Sequence, residues 1–134
     1  MIEMKCIFCD GIDSKAVIRE TNYFKIVFDI NPMQQGHILI ISKAHKMDLR
    51  ELDNLQSIEL LMIEKEMLTI FEHFSEINGV TIFQNNGNMM DEGTHFHVHM
   101  LPRYEHDSFW KQTQINQRPL DIKALKALIN QLEI

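Results

Sequence analysis

Three histidines occupy alternate positions in GTHFHVHMLPRY, residues 93–104: His95, His97 and His99, with Phe96, Val98 and Met100 in the gaps. Side chains of a β-strand alternate between its two faces, so the histidines form a row on one face and the apolar three belong to a core. Successive rings of such a row stand roughly 6–7 Å apart. Two kinds of chemistry suit it. Neighbouring rings can share a metal, although a third in line on a regular strand sits too far away to join them. Otherwise the row divides its duties. A ring with one nitrogen held as donor by a backbone carbonyl can attack phosphorus with the other. Its neighbours can then bind phosphoryl oxygens and move protons.

A second reactive pair lies at the other end of the chain. Cys6 and Cys9, in CIFC, are the only cysteines. Their two-residue spacer suits a redox couple, half of a zinc site, or two small hydrophobes in a core. Thioredoxin-type chemistry needs the pair to open a helix within a βαβ pattern, and the following CDGIDSKA reads as a loop. Half a zinc site needs two further ligands, and the chain has seven histidines. His73 and His106 receive no role.

The elements that must position these residues follow from periodicity. AVIRET (16–21) and YFKIVFDI (23–30) alternate as strands, and INPMQQG (30–36) is a loop. HILIIS (37–42) is a continuous β-branched run, the pattern of a strand covered on both faces. From about Leu52 to Phe74 apolar residues recur at helical spacing (Leu52, Leu55, Leu61, Met62, Leu68, Phe71, Phe74), with Asp48 or Asp53 as cap and Asn78-Gly79 as stop. VTIFQNN (80–86) and THFHVHML (94–101) are two more strands, the second ended by Pro102. The tail from Pro119 places Leu120, Ile122, Leu125, Leu128, Ile129 and Leu132 on one helical stripe. The order β-β-β-α-β-β-α predicts an α+β fold in which helices pack on an antiparallel sheet.

With 134 residues and no repeats or linkers, one domain over 1–134 is expected. The net charge of −6 and the absence of a basic run exclude a general nucleic-acid binder. The apolar runs are too short to span a bilayer, and MIEMKCIFCD is interrupted by Glu3, Lys5 and Asp10, so it does not read as a signal peptide. A soluble cytoplasmic protein, with no membrane partner, is the expectation.

The strand HFHVHML resembles the His-φ-His-φ-His-φ-φ signature of the histidine triad (HIT) family of nucleotide hydrolases and transferases. CIFC, VFDINPMQQGHILIISKAH, QNNG before the triad and PR after it align with the family in the same order, over about residues 5–104. The resemblance implies a HIT-like α+β fold: a five-stranded antiparallel sheet, one long central helix and a C-terminal helix. It implies that His97 attacks the α-phosphate to form a nucleotidyl-histidine, while His99 and His37 contact the phosphate and assist proton movement. It further implies ribose binding by Asp29, a carboxylate suited to a vicinal diol, phosphate contact by Asn85, and a base pocket of Phe8, Val27 and Ile30. In members with a Cys-x-x-Cys start, the matching residues Cys6, Cys9, His45 and His95 would hold a structural zinc. Magnesium would accompany a polyphosphate substrate, and the protein would be a homodimer.

One departure bears on substrate. Where many members carry glutamine and then serine or threonine before the triad, this chain has Asp91 and Glu92, followed by Gly93 and Thr94. Carboxylates near an anionic α-phosphate repel it, and Thr94 or a backbone N–H would replace the missing hydroxyl. The expected function is hydrolysis at the α-phosphate of a nucleoside phosphoramidate or dinucleoside polyphosphate. The rivals are a nucleotide-binding regulatory module with little turnover and a catalytic zinc hydrolase using the triad as ligands.

Overall fold

The computed structural model describes residues 6–134. Five strands, β1 (Val17–Glu20), β2 (Phe24–Phe28), β3 (Ile38–Ser42), β4 (Gly79–Gln84) and β5 (His97–Arg103), form one sheet in the order β1-β2-β3-β5-β4, every neighbouring pair antiparallel. The helices are α1 (Ile7–Asp10), α2 (Asn54–Phe71), α3 (Phe109–Gln112) and α4 (Ile122–Ile129). The expected α+β architecture, with its five-stranded sheet, long central helix and C-terminal helix, is the one observed.

Strand periodicity sorts the sheet residues onto two faces. One carries Phe24, Ile26, Ile38, Ile40, Val98 and Met100, which pack with Leu60, Ile63 and Phe71 of α2. The other carries Val27, Leu39 and Ile41, covered by Phe8, Ile12 and Val17. In register, His97 lies opposite Ile41 and His99 opposite Leu39, so both histidines belong to this second, thinly covered face. The all-buried β3 is the strand enclosed on both sides that its unbroken β-branched run requires.

Helix α2 starts where Asp53 accepts from the Gln56 amide and Gln56 reaches back to the Asp53 N–H, a reciprocal cap. Its core stripe differs from the expected one. Leu60, Ile63 and Phe71 are buried, while Leu55, Leu61, Met62, Leu68 and Phe74 remain exposed. The apolar positions surround more of α2 than one sheet face can cover, so spacing alone selected several outward-facing residues. The helix also ends at Phe71, before Asn78-Gly79, through a run of turns at His73, Phe74 and Ile77.

Two other boundaries move. The last strand begins at His97 instead of Thr94, because the Phe96 N–H donates to the Lys46 carbonyl (2.5 Å) and the His95 ring turns to Ser42. The loop expected from Cys9 onward starts two residues late, because Cys9 and Asp10 complete a single helical turn, α1. Helix α4 forms without packing on the sheet. All of its residues are exposed, and Leu120 and Leu132 lie outside it.

Candidate functional site

The histidines of the second face form two groups around His97. In the first, the Cys6 thiol lies 3.2 Å from His95 Nδ1, the Cys9 thiol 3.2 Å from His45 Nδ1 and 3.5 Å from His95 Nδ1. Three backbone contacts assemble it. Ile7 N–H, at the start of α1, donates to the Gly93 carbonyl at 2.7 Å, which ties the CIFC turn to the loop before His95. Ser42 N–H donates to the Phe96 carbonyl at 3.2 Å, and the Phe96–Lys46 bond brings the loop carrying His45 alongside.

The donor set fits a tetrahedral metal site. The fully buried His95 donates through Nε2–H to the Ser42 carbonyl, which leaves the Nδ1 lone pair aimed at the thiols. A ligating histidine is held this way by its second nitrogen. One ligand atom from each of Cys6, Cys9, His45 and His95 lies within 4.8 Å of the others, a set compatible with zinc in chemistry and geometry. Burial pushes the Cys9 thiol pKa up, with the neighbouring Cys6 adding to it. A metal opposes both effects by stabilising thiolate.

The second group is a chain of donors. Gly36, with φ of +88° and Pro102 and Phe71 within 4 Å of where a Cβ would stand, delivers the backbone to His37 through a left-handed turn. Met33 N–H donates to His37 Nδ1 at 3.1 Å. The proton of neutral His37 therefore sits on Nε2, which donates to His99 Nδ1 at 2.9 Å. That in turn puts the proton of neutral His99 on Nε2. Burial, then the proximity of His97 and His37, holds the His99 pKa down to about 4, and burial likewise lowers His37, so both rings are neutral at pH 7.

Asp29 faces this chain with Oδ2 3.6 Å from His37 Nε2, and its Oδ1 accepts from Asn31 N–H at 2.8 Å. Asp29, His37 and His99 also bring ligand atoms close together. The Met33 donor keeps the His37 Nε2 lone pair occupied by a proton, so this second group is poorly suited to a metal.

His97 stands between the groups. Its Nδ1 lies 2.8 Å from the His95 carbonyl and must donate, since a carbonyl accepts only. The lone pair of the neutral ring is then on Nε2. Phe8 meets the His97 ring edge-on at 4.9 Å, and Val27 belongs to the same apolar cluster as Phe8. The structure thus brings together His37, His97, His99, Asp29, Phe8 and Val27. Ile30, by contrast, projects outward and is 92% exposed. Asn85 follows β4 directly, and the Thr94 hydroxyl spends its hydrogen on the Asp91 carbonyl at 2.6 Å.

Three contributors escape sequence reasoning: the Met33 amide, the Ser42 carbonyl and Phe83. The Phe83 ring stacks on His99 at 4.3 Å and 7°. Its only signal is the register of β4 on β5, which pairs the two residues.

Comparisons with known proteins agree with this geometry. The HIT domain profile matches residues 11–106. The adenosine 5'-monophosphoramidase of Saccharomyces cerevisiae is 29% identical over 111 residues, 80% of this chain and 68% of that one. The crystal structure of a HIT family member from Bacillus subtilis superposes with a TM-score of 0.73 at 23% identity, covering 96% of this chain and 98% of that one. A zinc-bound histidine triad protein from Mycobacterium smegmatis gives 0.67 at 24%, covering 96% and 95%. With a row of histidines at the centre of its sheet and the family profile spanning most of its length, this chain belongs to the HIT family.

Proposed function

We propose that this protein hydrolyses a nucleoside phosphoramidate or dinucleoside polyphosphate at the α-phosphate through a covalent nucleotidyl-His97. The observation that carries the reading is the tautomer arrangement. The His95 carbonyl holds Nδ1–H of His97, so Nε2 is the free nucleophile. The neighbouring His99, ring centroids 4.7 Å apart, presents an Nε2–H that can bind a phosphoryl oxygen. As the Nε2–P bond forms, the bond from phosphorus to the leaving atom breaks, and that atom takes a proton from His99 or from water. Water then cleaves Nε2–P, releasing the mononucleotide and restoring His97.

Asp29 would offer carboxylate oxygens to the ribose hydroxyls, and Phe8 and Val27 apolar surface for the base, with the exposed Ile30 free to close on it. Asn85 and Thr94 would contact the phosphate, Thr94 as an acceptor because its hydroxyl already donates to the Asp91 carbonyl. Cys6, Cys9, His45 and His95 would hold a structural zinc that fixes the N-terminal turn beside the nucleophile. Magnesium, a ligand of oxygen donors, would arrive with a polyphosphate substrate and not on this nitrogen-rich set. The reading includes a cytoplasmic homodimer acting on a diffusible nucleotide, without nucleic acid or membrane. The exposed Leu55, Leu61 and Met62 of α2 support a partner chain, and none of the described helices is long and apolar enough to cross a membrane.

One observation favours the module with little turnover: Asp91 lies near enough to His99 to raise its proton affinity, and the same charge would oppose an anionic leaving group. Intact-protein mass spectrometry separates the readings. Wild type and His97→Ala are mixed with adenosine phosphoramidate and with diadenosine tetraphosphate, then quenched within seconds at neutral to alkaline pH. An adenylyl adduct and released AMP from wild type alone are expected. Absence of both on either substrate would put the binding module ahead.

A further inference from the structure

The histidine-bearing face of the sheet continues past the histidines. Side chains alternate along β5, so Leu101 and Arg103 share the face of His97 and His99. On β4, Phe83 pairs with His99 and Thr81 with Leu101, which puts both on that face too. Across the strands, Val27, Leu39, His99 and Phe83 form one registered row, with about 4.8 Å between neighbouring strands. The surface proposed for the nucleoside, at Val27 and Phe8, thus lies two strands to one side of β5. Phe83 lies one strand to the other.

Beyond Phe83 this face carries an aromatic pair on a firmly tied loop. Asp107 accepts from Arg103 Nε at 2.6 Å and Nη2 at 3.0 Å, and from the backbone N–H of Tyr104 and of Phe109, each at 3.1 Å. Arg103 Nη1 donates to Thr81 Oγ1 at 2.9 Å, which lays the guanidinium over β4. The Phe109 ring covers that guanidinium, 4.2 Å from Cζ, and the Trp110 ring stands 5.9 Å from it, edge-on to Phe109. His106 and Ser108 take positive φ, 61° and 62°, to close the turn. Residues other than glycine avoid that region, and those held there concentrate at functional sites. All of this fixes a side chain that stays in solvent: Trp110, the only tryptophan of the chain, is 74% exposed.

We propose that the stretch from Phe83 to Trp110 is the subsite of the leaving group, and that it takes a second nucleobase. The inference rests on the hydrolysis proposed above and narrows its substrate to a dinucleoside polyphosphate. With the first nucleoside over β2 and β3, the leaving group has the β4 side. Arg103 lies four residues, about 13 Å, along β5 from His99, and the indole stands beyond its guanidinium. A chain of several phosphates crosses that distance, and the amine of a simple phosphoramidate does not. Phe83 would flank the phosphates, and Trp110 would stack on the base, since every nucleobase offers a π face to an exposed ring. Arg103, already paired with Asp107, supports the aromatic pair from beneath. Binding so far from phosphorus also offsets Asp91, because a remote contact can supply what the phosphates lose to that charge.

The single tryptophan makes the test direct. Full-length His97→Ala protein, which forms no adduct, is titrated with diadenosine tetraphosphate, adenosine tetraphosphate and AMP, recording tryptophan emission and heat together. All three should bind, and only the dinucleotide should quench the emission, with the same Kd as the heat. In chains that keep His97, Trp110→Ala should lower kcat/KM for diadenosine tetraphosphate about tenfold relative to adenosine tetraphosphate, and Trp110→Phe should recover most of the loss. Circular dichroism verifies folding of each variant. A dinucleotide that binds without quenching would overturn the subsite and leave the hydrolysis reading standing. So would AMP that quenches as deeply, or equal losses on both substrates in Trp110→Ala. Binding by none of the three would overturn both readings. Quenching by the dinucleotide in a protein whose wild type yields neither adduct nor AMP would keep the second-base site and remove the hydrolysis.

Discussion

The two histidine groups flanking His97 use the same side chain for opposite purposes, and backbone partners decide which. Beside the cysteines, a carbonyl takes the Nε2 proton of His95 and frees its Nδ1 lone pair for a soft cation. Beside Asp29, an amide gives its proton to His37 Nδ1, so Nε2 carries hydrogen and the chain of rings ends as a donor at His99. An accepting carbonyl leaves a lone pair free on the far nitrogen, and a donating amide leaves a proton there. His97 shares the first arrangement, which in the proposed reaction would make it the nucleophile.

The largest expected effect tests the division itself. His97→Ala should abolish turnover, by a factor of at least about 10³, while elemental analysis finds the same zinc content as wild type. Cys6→Ala should do the reverse to the metal. Zinc is lost, and the melting temperature falls by about 10 °C or more because metal binding is coupled to folding. If His97→Ala lost the metal, the two groups would be one site.

The donor chain is tested next. His37→Phe removes the donor to His99 Nδ1 and frees that ring to adopt either tautomer. Catalytic turnover should fall about 10–100-fold, as for other groups that orient a functional histidine, with metal content unchanged. The pH dependence of stability follows from the same burial. The folded pKa of His99, about 4, lies below the ordinary value of about 6.5. Between these values the unfolded chain binds a proton that the folded chain refuses. His99 therefore contributes nothing unfavourable above about pH 6.5 and costs stability progressively as pH falls toward 4, of order 3 kcal/mol. Urea unfolding at pH 7, 5.5 and 4.5 measures it, and His99→Gln should flatten part of the slope. The smallest effect belongs to Phe83→Leu, which removes the stack on His99. A few-fold loss of turnover and about 1 kcal/mol of stability are expected.

Much of this was legible in the sequence because it is periodic. The alternation of His97, Val98, His99 and Met100 dictates which face each occupies, and the structure keeps that assignment. Periodicity fails where the chain leaves regular structure. His95 obeys the same spacing as its neighbours but lies before the strand, drawn to the Ser42 carbonyl across 53 residues. Helix α2 defeated the pattern for another reason: it is apolar on more sides than one sheet face can cover. The partners that set each tautomer are backbone groups, and no residue type announces them. Phe83 became visible only when β4 acquired a register.

The contact between Cys6 and His95 joins positions 89 apart in the chain. During synthesis the cysteines emerge 89 and 86 residues ahead of their shared partner His95, which follows four of the five strands. Until then the thiols have no closed site to protect them. With zinc held there as proposed, the thiols would be open to oxidation chiefly while the chain is being made.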